Sequence, residues 1–172
     1  MTTDTPRTVR RARPLAPKGG DDRVYTPDKL AKSIVDHFMP TGRILEPCKG
    51  QGAFLRALGK NCEWCEIDDG RDFFSYQAKV DWIVTNPPWS LLRPFLAHSM
   101  KVSENIVFLC LVNAFFMKAR QRDIREAGFG IVEVLEVPTP PSPWPQTGFA
   151  LAATWLRKKW SGGIHYNKTL LK

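Results

Sequence analysis

The run Val80-Asp81-Trp82-Ile83-Val84-Thr85-Asn86-Pro87-Pro88-Trp89-Ser90 contains the most informative junction in the chain. Trp82 to Val84 is apolar and reads as a short buried strand. It stops at Asn-Pro-Pro-Trp. Two consecutive prolines donate no backbone N–H and hold φ fixed, so the chain must leave the sheet as a stiff loop. In an open α/β sheet, ligands bind outside the carboxyl ends of the strands. A rigid loop there, with an amide at its start and a large ring at its end, suits a flat ligand with a polar edge, such as a nucleobase. The plainer alternative is a buried strand followed by a proline-rich turn, and the flanking sequence decides between them.

Upstream, Arg43-Ile44-Leu45-Glu46-Pro47-Cys48-Lys49-Gly50-Gln51-Gly52-Ala53-Phe54 reads as a short strand, a glycine loop and a helix from Ala53 to about Leu58. Glycines in such a turn allow close approach of backbone to a ligand. A dinucleotide fingerprint wants a third glycine three residues after the second, where Leu55 stands, and the Gly-Lys-Ser/Thr of a phosphate loop is absent. Before this loop, Thr26 is expected to cap a helix that has Pro27 at its first position and Leu30, Ile34, Val35 and Phe38 on its apolar face. After it, Asn61 to Ile67 reads as a second strand ending in Glu66-Ile67-Asp68. An acid at that place accepts hydrogen bonds from ribose hydroxyls, with Glu66 preferred and Asp68 the alternative.

Taken together, Tyr25-Thr26-Pro27, Glu46-Pro47-Cys48-Lys49-Gly50-Gln51-Gly52, Glu66-Ile67-Asp68, Asp72-Phe73 and Asn86-Pro87-Pro88-Trp89 occur in the order of one arrangement of the S-adenosylmethionine-dependent DNA adenine-N6 methyltransferases. The chain resembles the small, single-domain kind associated with phages and mobile elements. The resemblance covers Tyr25 to Trp89. It implies a class I methyltransferase, Rossmann-like doubly wound α/β sheet, mostly parallel with an antiparallel last strand. It also implies S-adenosylmethionine held by Tyr25, Thr26, Glu46, Cys48, Gly50, Gly52, Glu66, Ile67, Asp72, Phe73 and Asn86, with Ile67 and Phe73 against the adenine ring. Asn86, Pro87, Pro88 and Trp89 are then catalytic: the Asn86 side-chain oxygen and the Pro87 carbonyl accept the two amino hydrogens of adenine, Pro88 stiffens the loop and Trp89 stacks on the base. One departure stands out. Between Glu66 and Asp72 there is no room for the usual helix and third strand, so one sheet edge should be reduced and the adenine side of the pocket more open.

The later sequence continues the alternation. Leu91, Leu92, Phe95, Leu96 and Met100 mark a helix, Asn105 to Phe116 a buried strand, Lys118 to Glu126 a polar helix, and Ile131 to Val137 and Phe149 to Leu156 two more strands. The loop Pro138 to Gly148 carries Trp144, which reads as exposed. The expected organisation is a disordered basic arm over 1–23, a methyltransferase domain over 24–158 and a basic tail over 159–172 with Trp160, His165 and Tyr166.

Composition agrees with a basic globular protein of 172 residues, 43% hydrophobic, with a formal charge of +8. The charge favours an acidic polymer, nucleic acid first, with DNA preferred and RNA open. No apolar run reaches membrane-span length and no signal-peptide core is seen, so a cytoplasmic location in a bacterium or phage-infected cell is expected. Cys48, Cys62, Cys65 and Cys110 suggest no disulfide framework, and Cys62-Glu63-Trp64-Cys65 lacks the second ligand pair of a zinc site, so no metal is expected. His37, His98 and His165 stand apart from every motif. RNA methylation, glutamine methylation of protein and a non-catalytic nucleic-acid-binding role are the alternatives.

Overall fold

The computed structural model describes residues 24–169. The arm expected over 1–23 lies outside the described residues. A seven-stranded sheet, in the order β2-β1-β3-β4-β6-β5-β7, organises the chain. The strands are β1 (Ile44–Glu46), β2 (Glu63–Trp64), β3 (Val80–Thr85), β4 (Ser103–Leu111), β5 (Phe129–Val137), β6 (Leu151–Lys158) and β7 (His165–Lys168). The helices are α1 (Asp28–Phe38), α2 (Ala53–Leu58), α3 (Leu92–Val102) and α4 (Lys118–Glu126). β2, β1, β3 and β4 run parallel, and β6 inserts antiparallel between β4 and β5.

Helices on both faces explain why the central strands are apolar at nearly every position. On β4, Ile106, Phe108 and Cys110 pack with Leu92, Phe95 and Leu96 of α3 and Ile124 of α4. Val107 and Leu109, pointing the other way, pack with Leu30, Ile34 and Phe38 of α1 and Phe54 of α2. The doubly wound α/β reading therefore holds, with its antiparallel strand second from last in sequence.

Several local expectations differ. Helix α1 starts at Asp28, and Pro27 is its cap with φ −62° and ψ 142°; no side chain caps it. Thr26 precedes a proline, which disfavours helical backbone there. The strand expected over Asn61 to Ile67 contracts to Glu63–Trp64, and Glu66 pairs back with Arg71 across a single turn of 3-10 helix, Ile67–Asp69. This short hairpin takes the place of the missing helix and third strand. The strand expected through Phe116 ends at Leu111 and becomes a 3-10 turn, whose Ala114 and Phe115 remain in the core. Burial there, not strand pairing, keeps the run apolar. Trp144 is buried, with its indole N–H donating to the Tyr25 carbonyl at 3.1 Å. Within the span read as a tail, His165–Lys168 adds a parallel edge strand to β5, which Asn167 fastens through Glu133 and Lys168 through Glu136.

Candidate active site

The carboxyl edges of β1, β2 and β3 open onto a cavity of about 600 Å³, within the roughly 300–1,000 Å³ usual for small-molecule and cofactor sites. Tyr25, Thr26, Glu46, Cys48, Gly50, Glu66, Ile67, Asp72, Phe73 and Asn86 all line it. Gly52 does not; it caps α2 at φ +83°, a left-handed conformation natural to glycine. Gly50, at φ +49°, turns the loop so that its N–H donates to the Glu66 carboxylate at 2.6 Å. A Cβ there would lie 3.1 Å from the Tyr25 ring, so the glycine also makes room for the element that precedes α1.

The short hairpin brings the two acids of the adenine end together. Glu66 and Arg71 exchange both backbone hydrogen bonds at 3.0 Å, so Asp72 emerges beside Glu66. Asp72 accepts from the Phe74 N–H at 3.0 Å. The aromatic pair is offset from expectation: Phe73 is 3% exposed and packs on Phe95 at 5.2 Å between centroids, whereas Phe74 is 40% exposed. Both touch the cavity, but Phe74 has the accessible ring. Asp72 caps the 3-10 turn that follows, and this cap turns Phe73 into the core.

Charge in the cavity opposes charge on the chain. Glu66, Asp68, Asp69 and Asp72 line it, beside the buried Glu46 that keeps its proton, against Lys49 as the single basic lining residue. Lys49 is itself paired with Asp69 at 2.5 Å. An anionic dinucleotide would be repelled here. A ligand with cationic centres and hydroxyl or amino donors finds acceptors.

Beneath the loop lies a buried polar chain. Glu46 accepts from the Thr85 hydroxyl and, at 3.2 Å, from the Cys48 N–H. The Cys48 sulfur lies 2.9 Å from Thr85 Oγ1 and donates to the Asn86 carbonyl at 3.3 Å. Burial pushes the Glu46 carboxyl up to about 8, with the Thr85 and Cys48 hydrogen bonds opposing. Burial likewise holds the Cys48 thiol well above its ordinary range.

Asn86 is fixed at both ends of its amide. Nδ2 donates to the Val24 carbonyl at 3.0 Å, and Oδ1 accepts from the Trp89 indole at 3.2 Å. One partner can only accept and the other can only donate, so the amide has one orientation. A carbonyl oxygen has two lone pairs, and this leaves a second acceptor position on Oδ1. The same indole N–H also reaches the Leu109 carbonyl at 3.3 Å, which ties the loop to β4. Trp89 is half-buried, meets Trp144 edge-on, and like Pro87 lies outside the cavity lining; Pro88 lines it. The sequence reading missed Val24, Thr85, Phe74 and Trp144. Thr85 had a signal, a hydroxyl closing an apolar strand. The Val24 carbonyl had none.

Among the described residues, no cluster of three or more His, Cys, Asp or Glu side chains is arranged to hold a metal ion, and no helix is long and apolar enough to cross a membrane.

No family profile and no curated protein sequence matches the chain. Solved structures do match in shape. A Listeria monocytogenes protein assigned to the class I S-adenosylmethionine-dependent methyltransferases aligns with TM-score 0.61 and 10% identity, over 87% of this chain and 67% of that one. A modification subunit assigned to a type I restriction enzyme of Vibrio vulnificus aligns with TM-score 0.60 and 15% identity, over 86% and 47%. The 23S rRNA methyltransferase ErmE aligns with TM-score 0.52 and 16% identity, over 80% and 72%. The chain thus spans less than half of the restriction-modification subunit. At these identities the likeness is one of fold, and the fold of this chain is that of the class I S-adenosylmethionine-dependent methyltransferases.

Proposed function

We propose that this protein is an S-adenosylmethionine-dependent amino methyltransferase acting on the N6 amino group of adenine in DNA. The observation that carries the reading is the Asn86 amide. It is held in one orientation at the rim of an acidic cavity, with one acceptor position open.

The cavity fits the cofactor. S-adenosylmethionine carries a sulfonium and an ammonium group, and the lining is rich in carboxylates with Lys49 as its one basic member. Glu66 would hold the ribose hydroxyls, with Asp68 beside it, and Asp72 the adenine amino group. Ile67 and Phe74 offer apolar surface at that end. When bound, the cofactor supplies an electrophilic methyl group.

The chain's own residues then act on the acceptor. The amino lone pair of adenine is delocalised into the ring and is a poor nucleophile. Asn86 Oδ1 and the Pro87 carbonyl would each accept one N–H, drawing the nitrogen towards tetrahedral geometry. Fixed acceptors need no reorganisation as charge develops, and no strong base is required. The half-buried Trp89 ring serves twice in this reading: its N–H orients Asn86, and its accessible part offers a stacking surface to the target base.

The Val24 carbonyl on Asn86 also ties the catalytic loop to the point where residues 1–23 join. We assign that arm, with Arg7, Arg10, Arg11, Arg13 and Lys18, to phosphate contact. Transfer of labelled methyl to duplex DNA, single-stranded DNA, RNA and protein in separate reactions tests the proposal. N6-methyladenine in DNA is the expected product. Label in RNA replaces the polymer, and label on a protein amide replaces the substrate class.

A further inference from the structure

We infer that the sheet edge beside Asn86 carries a stacking wall for the unpaired bases of single-stranded DNA, built from Phe116, Met117 and Phe149. The inference rests on the proposed adenine chemistry and extends it to the strands flanking the target.

Sheet register raises the wall. Thr85, the last residue of β3, pairs with Phe108, but β4 continues to Leu111. At about 3.3 Å per residue, β4 ends about 10 Å beyond the start of the Asn86 loop. Leu111 faces Leu151, and the Val112 N–H donates to the Ala150 carbonyl at 2.8 Å. The chain after β4 and the chain before β6 therefore leave the sheet side by side. The catalytic loop is tied below them by the Trp89 hydrogen bond to Leu109.

These segments present large apolar side chains to solvent. Phe116 is 48% exposed, Met117 55% and Phe149 53%. The backbone beneath is anchored: Ala114 and Phe115 are buried, Arg120 donates to the Ala114 carbonyl and Gln121 to the Phe115 carbonyl, each at 2.6 Å. A surface-exposed group of such side chains on a tied backbone marks an interaction site more readily than a loose loop does. Helix α4 begins directly after Met117 and adds exposed Lys118 and, one turn on, exposed Arg122, which makes a long 4.0 Å pair with Glu126. Rings beside cations hold single strands through stacking and charge. In a duplex the base faces are covered by their neighbours and reach a ring only after flipping. Among the described residues, every lysine and arginine except Lys49 lies outside the acidic cavity lining.

Fluorescence anisotropy with a single-stranded DNA oligonucleotide and the matching duplex tests the wall on the full chain. The single strand should bind tighter than the duplex. Phe116→Ala and Phe149→Ala should each weaken single-strand binding by about tenfold, leaving duplex and S-adenosylmethionine binding unchanged. Phe116→Leu should weaken it too, because leucine keeps bulk without an aromatic face. Equal losses on duplex and single strand, unchanged binding in the variants, or tighter binding of single-stranded RNA overturns the inference. So does a dimer in sedimentation that Phe149→Ala dissociates, since the patch would then belong to a second copy. Methyl transfer by the wild type is scored separately. Variants unchanged while adenine is methylated remove the wall and keep the chemistry. Selective losses without any methyl transfer keep the wall and remove the chemistry.

Discussion

Glu46→Gln isolates the buried acid under the catalytic loop and gives a prediction whose size follows from the structure. The Glu46 carboxyl is buried and titrates near 8, against an ordinary value of 4.5. Below pH 4.5 both folded and unfolded chains hold the proton, and the group contributes no pH dependence. Between 4.5 and 8 the folded chain keeps a proton that the unfolded chain has lost. Stability therefore falls as pH rises through this window and levels off above it. From pH 5 to pH 9 the loss from this group is about 4 kcal/mol. For a chain of this size that is a fall in Tm of roughly 8–16 °C. Glutamine fills the same space, still accepts from Thr85 or the Cys48 N–H, and does not titrate. Scanning calorimetry of both proteins between pH 5 and pH 9 is the assay. Other titrating groups cancel in the difference, so the variant should gain on the wild type steadily with pH. A difference in Tm that stays constant across the range would refute a neutral, buried Glu46.

Three further outcomes are expected. Asn86→Ala should lower the methyl-transfer rate by about 10²–10³-fold while leaving cofactor affinity in calorimetry nearly intact, because the amide acts chiefly on the acceptor amine and is one of many residues lining the cofactor cavity. Trp89→Phe keeps a ring but removes the donor to Asn86 and to the Leu109 carbonyl; stability should drop by about 1–3 kcal/mol in urea titrations, and single-turnover rate should fall with cofactor affinity unchanged. Deleting residues 1–18 should flatten the plot of log K against log salt by about 0.7–0.9 for each phosphate that the arm neutralises, measured with any DNA the full chain binds.

Much of the fold could be read from one pattern. The apolar runs that became β3, β4 and β5 are covered by helices on both faces, and that burial leaves a signal in the residues themselves. The glycine loop and Asn-Pro-Pro-Trp were equally readable, since backbone freedom at Gly50 and rigidity at Pro87 and Pro88 depend on residue type alone. What failed depended on partners distant in sequence. Trp144 looked exposed because prolines surround it, yet it is buried, with its indole N–H on the Tyr25 carbonyl just ahead of α1. The end of β4 was hidden because Ala114 and Phe115 stay in the core after strand pairing stops. β7 gave no apolar signal, being an exposed edge held by cross-strand polar pairs. Phe73 and Phe74 exchanged roles because the Asp72 turn, not the residue type, selects which ring faces inward.

The most direct test of the central claim is the identity of the nucleoside that receives label from methyl-labelled S-adenosylmethionine in DNA, read by mass spectrometry for the wild type and Asn86→Ala side by side. The account predicts N6-methyladenine from the wild type and a rate reduced by orders of magnitude in the variant. Methyl on a ring carbon, or equal rates of adenine methylation from both proteins, would contradict it.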